Sequence, residues 1–261
     1  MYYKELLRVS RGLAIYAAIF AILAVIGIAV QSSGNFVIET GPVPGGSVAV
    51  HHATPGTHIP FAAILAIAAV TSAIFASIVG ISLSTENDDH LEVAWTLPVS
   101  RLHYALLVMA IDVSAILLAF GVTFLASLAV ISAHGLARNL FFESDTWLQL
   151  MRFLIYPLAW FGVAQALTAS MRCKAGAYAG FAWAVAFILI ALYEAPLNHT
   201  WHAIFTVVNY INPVRYASYA AGSGVSSQIL DLNLAVAISG LSAIAVFGIA
   251  LALLQWRRLE A

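Results

Sequence analysis

Six stretches of almost unbroken apolar residues divide the chain, at about 13–30, 60–83, 102–131, 150–171, 175–193 and 233–256. An α-helix needs roughly 20 such residues to cross the hydrocarbon core of a bilayer. None of the six holds a run of charges. The pattern predicts an all-α polytopic membrane protein, with six transmembrane helices forming one domain over 1–261. Residues 1–12 follow a different pattern. On a helical wheel Lys4, Glu5, Arg8 and Arg11 share one half, and Tyr2, Tyr3, Leu6, Leu7 and Val9 share the other. This predicts an interfacial amphipathic helix with its basic groups toward lipid headgroups. An ordinary polar start to the first span is the other reading of the same residues.

The connectors differ in kind. Segment 31–59 holds Gly34, Gly41, Pro42, Pro44, Gly45, Gly46, Pro55 and Gly56, a composition that forbids a helix and predicts an irregular loop. Segment 194–232 contains two apolar pieces, Thr200–Ile211 and Val214–Ala221, separated by Asn212-Pro213 and followed by Gly222-Ser223-Gly224. Neither piece is long enough to span. Two short helices are expected there, or a surface loop packed on the ends of the spans.

Composition sharpens the class. Of 261 residues, 62% are hydrophobic and only 9% charged, against about 25% charged in a soluble domain. So little charge cannot cover a water-facing surface, which excludes a soluble enzyme and a disordered chain. Lys+Arg is 11 and Asp+Glu 12, so there is no basic excess for nucleic acid. The single cysteine, Cys173, allows no disulfide within the chain. The run Leu13–Val30 is longer than the core of a signal peptide and ends in no A-x-A-like site, so it reads as a retained span.

Basic residues set the expected orientation. Six spans put both termini on one side, together with Lys4, Arg8, Arg11, Arg101, Arg172, Lys174, Arg257 and Arg258. The opposite side holds Arg138, Arg152 and Arg215. The excess places both termini in the cytoplasm of a multi-pass cell-membrane protein. Connectors 84–101 and 172–174 are then cytoplasmic.

The connector 84–101 carries the densest information. Thr85 and Asp88 have capping-box spacing, and Glu86, Asp88 and Asp89 crowd a first helical turn, where the helix dipole favours negative charge. Leu91, Ala94 and Trp95 fall at i, i+3, i+4 and form one apolar face. Pro98 ends the helix, since it lacks a backbone donor and restricts Leu97 before it. Ser100 is placed to cap the third span. A short acidic amphipathic helix is expected, or a solvated turn.

With Glu92, Trp95 and the string Thr96-Leu97-Pro98-Val99-Ser100-Arg101, this connector resembles the first intracellular connection of the ABC type-2 permeases, the six-span membrane subunits of ABC exporters. The topology, the N-terminal amphipathic segment and the long segment before the sixth span resemble that family too. The resemblance implies that Glu86, Asp88, Asp89, Glu92, Trp95, Pro98 and Arg101 belong to a coupling helix that docks a cytoplasmic ATPase. No G-x-x-x-x-G-K-[ST] loop occurs in the chain, so it binds no nucleotide phosphates by that device. ATP and Mg would reside on a separate ATPase subunit. A second permease copy, or a related permease, facing the first through spans 1, 2 and 5, would complete the pathway. The resemblance also implies that 194–232 forms a re-entrant outer hairpin around Asn212, Pro213 and Arg215, with Arg215, Tyr216, Tyr219 and Trp201 at interfacial depth. The family often carries a basic residue early in the third span; this chain has Asp112 there.

Asp112 is the only acid well inside a span. It lies about 15 Å beyond the start of its helix, where a lone carboxylate is costly. It is expected to be neutral, hydrogen-bonded to a neighbouring span, or lining a polar inter-subunit pathway. Gln165 is a milder case, with an interhelical hydrogen bond expected. His51, His52 and His58 share the first outer loop but match no metal-binding spacing. Three other functions compete. An intramembrane hydrolase lacks H-E-x-x-H, G-x-S-x-G and a second intramembrane Asp. An ion-coupled transporter or channel is disfavoured by the single buried acid and the lack of a visible repeat. A non-transporting assembly subunit stays open.

Overall fold

The computed structural model describes residues 2–31, 59–84, 100–142, 145–171, 174–195, 199–216 and 234–258. Its long helices are α1 (Tyr2–Gln31), α2 (Phe61–Val79), α3 (Arg101–Ala133), α4 (Thr146–Thr168), α5 (Ala175–Glu194) and α7 (Leu234–Arg258), with a shorter α6 (His199–Val208) before the last. Six helices are long and apolar enough to cross a membrane, the second span continuing past α2 to Ser84. They match the six apolar stretches, with α4 starting four residues earlier than the hydropathy alone suggests. The all-α polytopic class is therefore observed. Of the connector, Glu86, Asp88, Asp89, Glu92, Trp95 and Pro98 lie outside the described residues, as do His51, His52, His58 and Tyr219.

One expectation needs correction. Residues 1–12 do not form a helix separate from the first span; α1 runs unbroken from Tyr2 to Gln31. The physical reason is local: Ser10-Arg11-Gly12 contains no proline and no turn signal strong enough to stop a helix already propagating. Arg8 points elsewhere than predicted, while Arg11 is exposed. Arg8, Gly12 and Tyr16, at i, i+4, i+8, face the bundle: Arg8 reaches Asp112, an added Cβ on Gly12 would meet Phe75, and the Tyr16 hydroxyl lies 2.6 Å from Thr123 Oγ1. The outer face of α1 presents Ile15, Ile19, Ile22 and Ile26, as a lipid-facing helix should.

Side-chain contacts give each helix its direction. Helix α1 runs parallel to α3, joined at three heights by Arg8–Asp112, Tyr16–Thr123 and the His134 ring against the Gly27 carbonyl. The second span runs antiparallel to α3: Thr71 Oγ1 donates to Thr123, while Ser82, one end further, hydrogen-bonds Asp112. It runs parallel to α4, since Gln165 Nε2 donates to Ser82 and Ser84 donates to the Met171 carbonyl. Helix α7 also follows α4, with Gln255 Nε2 donating to the Ala166 carbonyl. Consequently the start of α1 and the end of α7 share one end of the bundle with the span-two and span-four termini. Val9, Leu83, Tyr104, Ala169 and Trp256 pack there in one apolar cluster. A second cluster, including Leu65, Phe153, Tyr156, Trp160, Tyr216 and Leu241, fills the other half.

Local chemistry explains several boundaries. Ser100 is extended (φ −62°, ψ 136°) and its side chain accepts from the His103 N–H at 3.3 Å, the cap expected for the third span. The turn into α5 places Lys174 in the left-handed region (φ 62°), with the N–H groups of Ala177 and Tyr178 bonded to its carbonyl. A feature absent from the sequence reading is a two-residue parallel pairing of β1 (Ile59–Pro60) with β2 (Leu140–Phe141), which ties the approach to span two to the exit of span three. Segments this short have no periodicity to detect.

Candidate functional site

Two buried polar groups stand out, one at each end of the bundle. The first gathers side chains from four spans. Asp112 is 0% exposed, one-third of the way along α3. Its Oδ1 accepts from Arg8 Nη2 at 3.3 Å, forming an ion pair across to α1. Ser82 supplies a further hydrogen bond to the carboxyl group and accepts one from Gln165 Nε2 at 3.0 Å. A serine hydroxyl can do both, donating once and accepting from another partner. The chain Arg8–Asp112–Ser82–Gln165 thus links α1, α3, the second span and α4, with Ser82 and Gln165 buried throughout. Among the described residues, Asp112 Oδ2 and Gln165 Oε1 have no hydrogen-bond donor.

Gln165 does what the sequence predicts, bonding between helices. Asp112 proves to be paired, and to sit between helices of one protomer. The sequence does not single out this partner, because on the helical wheel Arg8 falls among the residues expected to face headgroups. The signal was present in the spacing: Arg8 shares its stripe with Gly12 and Tyr16, which continue into the span as its packing face. The Arg101 backbone begins α3.

The second group closes the opposite end. Asn209, Asn212, Arg215 and Arg152 are all buried there. Asn212 Nδ2 donates to the Ala186 carbonyl at 2.8 Å and to Asn209 Oδ1 at 2.9 Å, while its Oδ1 accepts the Val214 N–H. Asn209 Nδ2 donates to the carbonyls of Leu189 and Phe205. Pro213 opens a 3-10 turn over Pro213–Tyr216. Arg215 Nη1 donates to the Thr206 carbonyl, and its guanidinium stacks 4.1 Å from the Tyr210 ring. Tyr216 donates to the Tyr210 carbonyl and accepts, through its own carbonyl, from Arg152 Nε. The break at Asn212-Pro213 is therefore where the sequence put it, and α6 with its two short turns folds back onto α4, α5 and α7.

Arg215 and Tyr216 are buried in this knot, whereas Trp201 is largely exposed. Burial is tolerated because backbone carbonyls and an aromatic face replace water around the guanidinium. Asn212→Leu removes three hydrogen bonds in a buried setting and should cost about 2 kcal/mol or more. The expected readout is earlier proteolysis within 199–216 and a lower melting temperature in detergent. An unchanged melting curve would show that the knot contributes nothing to stability.

Chemically, neither group resembles a catalytic constellation. Among the described residues no cluster of three His, Cys, Asp or Glu could hold a metal ion. What the two groups can do is join helices across the bundle's apolar interior, where each polar contact fixes a register. No family model, curated protein or solved structure matches the chain.

Proposed function

We propose that the chain is the membrane-spanning permease subunit of an ATP-driven ABC exporter, docking a separate ATPase through residues 84–101. The observation that carries the reading is the string Thr96-Leu97-Pro98-Val99-Ser100-Arg101, set immediately before a six-span bundle's third helix. Two features support it. Ser100 caps α3 at the boundary the string marks. The ends of α1, span two, α4 and α7 converge on the same end of the bundle as that connector. Under this reading that end faces the cytoplasm, as the excess of Lys and Arg there also argues. Movement of a docked ATPase would then be delivered to the start of α3, and through Asp112 to Arg8, Ser82 and Gln165.

Affinity purification from native membranes tests it. An ABC ATPase should be recovered in near-equimolar amount, and Glu92→Ala or Trp95→Ala should lower that recovery or uncouple ATP hydrolysis from transport. If both variants assemble and transport like the unaltered protein, 84–101 is not the docking surface. Recovery of the chain without any ATPase favours an assembly subunit or an ion-coupled carrier.

The reading includes a second permease copy. Helix α5 offers a suitable face: Gly176, Gly180 and Ala184 recur every four residues, all exposed, and a Cβ built on either glycine meets nothing within 4 Å. Small residues at this spacing let two helices approach closely in a membrane, where dispersion between backbones replaces the missing hydrophobic drive. Gly180→Leu fits the single protomer but fills that face. It should shift the detergent-solubilised permease from dimer to monomer without lowering expression; a dimer of unchanged mass would move the interface away from α5.

A further inference from the structure

We propose that an open groove along α2 binds a long aliphatic chain. That a second copy encloses this groove rests on the permease reading, under which the cargo is an amphiphile carrying such a chain. On α2, Ile67, Val70, Ile74 and Ile78 lie within about 40° of one line, and all are more than a third exposed. Neighbouring helices rise on both sides of this strip. About 100° to one side of Ile74, Phe75 packs on the Tyr16 ring of α1 with centroids 5.1 Å apart. About 60° to the same side, Thr71 hydrogen-bonds Thr123 of α3. About 60° to the other side, Ser77 accepts the Trp183 N–H of α5 at 2.9 Å. Trp183 itself stacks on Trp160 of α4, with centroids 3.7 Å apart. Helix α4 touches both α2 and α5, so the strip lies on the side of their contact away from α4. Gly176, Gly180 and Phe187 of α5 border it. They are exposed and within about 60° of Trp183, on the side away from the buried Ala179 and Ala186.

Chemistry selects the occupant. The floor is aliphatic from Ile67 to Ile78, a rise of about 16 Å, which is roughly half the hydrocarbon thickness of a bilayer. The polar groups at its edges bond within the bundle: Thr71 Oγ1 hydrogen-bonds the Ile67 carbonyl at 2.8 Å, and the Trp183 N–H goes to Ser77. An ion, a sugar or a peptide backbone would enter with its polar groups uncompensated, whereas an alkyl chain has none to satisfy. A helix of the second copy is the other candidate to fill the groove. Helices approach closely in a membrane through small residues, and the floor offers β-branched Ile and Val, which are stiff at χ1. The small residues sit on the bordering ridge, at Gly176 and Gly180. A second copy seated on that ridge covers the groove without filling it, and separates it from bulk lipid.

Photolabelling with a diazirine-bearing palmitate, on the full chain in phosphatidylcholine liposomes, tests this. Label should concentrate several-fold on the peptide holding Ile67 to Ile78 over the peptide holding Val246 and Phe247, which are at least as exposed on α7. Excess unlabelled palmitate should remove that difference, because an enclosed groove saturates and the lipid-facing side of α7 does not. Ile74→Trp, which fills the groove from its floor, should lower the label on 67–78 several-fold and leave that on α7 unchanged. Equal labelling of the two faces overturns the proposal, as does label on 67–78 that excess palmitate leaves in place or that a folded Ile74→Trp retains in full. If Ile74→Trp does not fold, the comparison of the two faces in the unaltered protein still decides. The permease reading fails by a different result. Saturable labelling of 67–78 in a chain that purifies from native membranes without an ATPase keeps the chain-binding groove and removes the exporter.

Discussion

Gly248→Leu should abolish folding of the bundle, and even Gly248→Ala should destabilise it. Helices α4 and α7 form the most extensive helix pairing among the described residues. They touch backbone to backbone: a Cβ on Gly248 would collide with the carbonyl carbon and oxygen of Gly162 and lie 2.8 Å from its Cα. A Cβ on Gly162 would lie 2.8 Å from the Ala245 carbonyl oxygen. No flexible side chain is present to give way, so relief requires moving one whole helix. Overpacking a core typically costs about 1–3 kcal/mol when side chains can adjust; here the cost for leucine should exceed that range. Separating α4 from α7 would also open the cluster around Trp160, Tyr216 and Leu241. Size-exclusion profiles and thermal melts in detergent give the readout. Gly121→Ala, where an added Cβ meets nothing within 4 Å, is the control and should melt at or above the unaltered protein. A stable, monodisperse Gly248→Leu would contradict the close crossing.

The second large effect is an asymmetry. Arg8→Met should destabilise the protein by about 3 kcal/mol, because it strands a fully buried carboxylate. Asp112→Asn should cost much less. Asparagine keeps the shape and can still bond to Ser82, and the Arg8 side chain, already 34% exposed, can turn its guanidinium toward headgroups. The double variant should resemble Asp112→Asn alone, giving a coupling energy of at least about 1 kcal/mol in a double-mutant cycle. Chemical denaturation followed by helical circular dichroism, with transport measured in parallel, checks both arms. Equal destabilisation by the two single variants would mean that Arg8 does not neutralise Asp112. Loss of transport in a stable Asp112→Asn would give the carboxylate a role in the pathway beyond holding helices.

Both effects turn on features whose visibility in the sequence differed. The spans were legible because lipid imposes a blunt rule, roughly 20 apolar residues per crossing, that needs no partner to be read. The Ser100 cap and the Asn212-Pro213 break were legible because capping and proline act within a few residues. Asp112 and Gln165 were legible as exceptions, since a polar group in an apolar run must be answered by something. The answer itself was hidden. Ser82 looks like any small residue near a helix end, and Arg8 looks like a headgroup ligand until α3 is set beside it.

Sequence alone therefore determined the class, the number of spans, their approximate bounds and the residues whose burial had to be compensated, because each follows from local hydropathy or local backbone chemistry. The tertiary structure decided that α1 continues through its polar start, that Arg8 turns inward to Asp112, that Arg215 and Tyr216 lie in a buried knot, and that Gly162 meets Gly248. These depend on which helix faces which. In an apolar sequence many facings bury similar area, so the choice falls to a few hydrogen bonds and close approaches between residues far apart in the chain, and no periodicity along one helix records the neighbour it will meet.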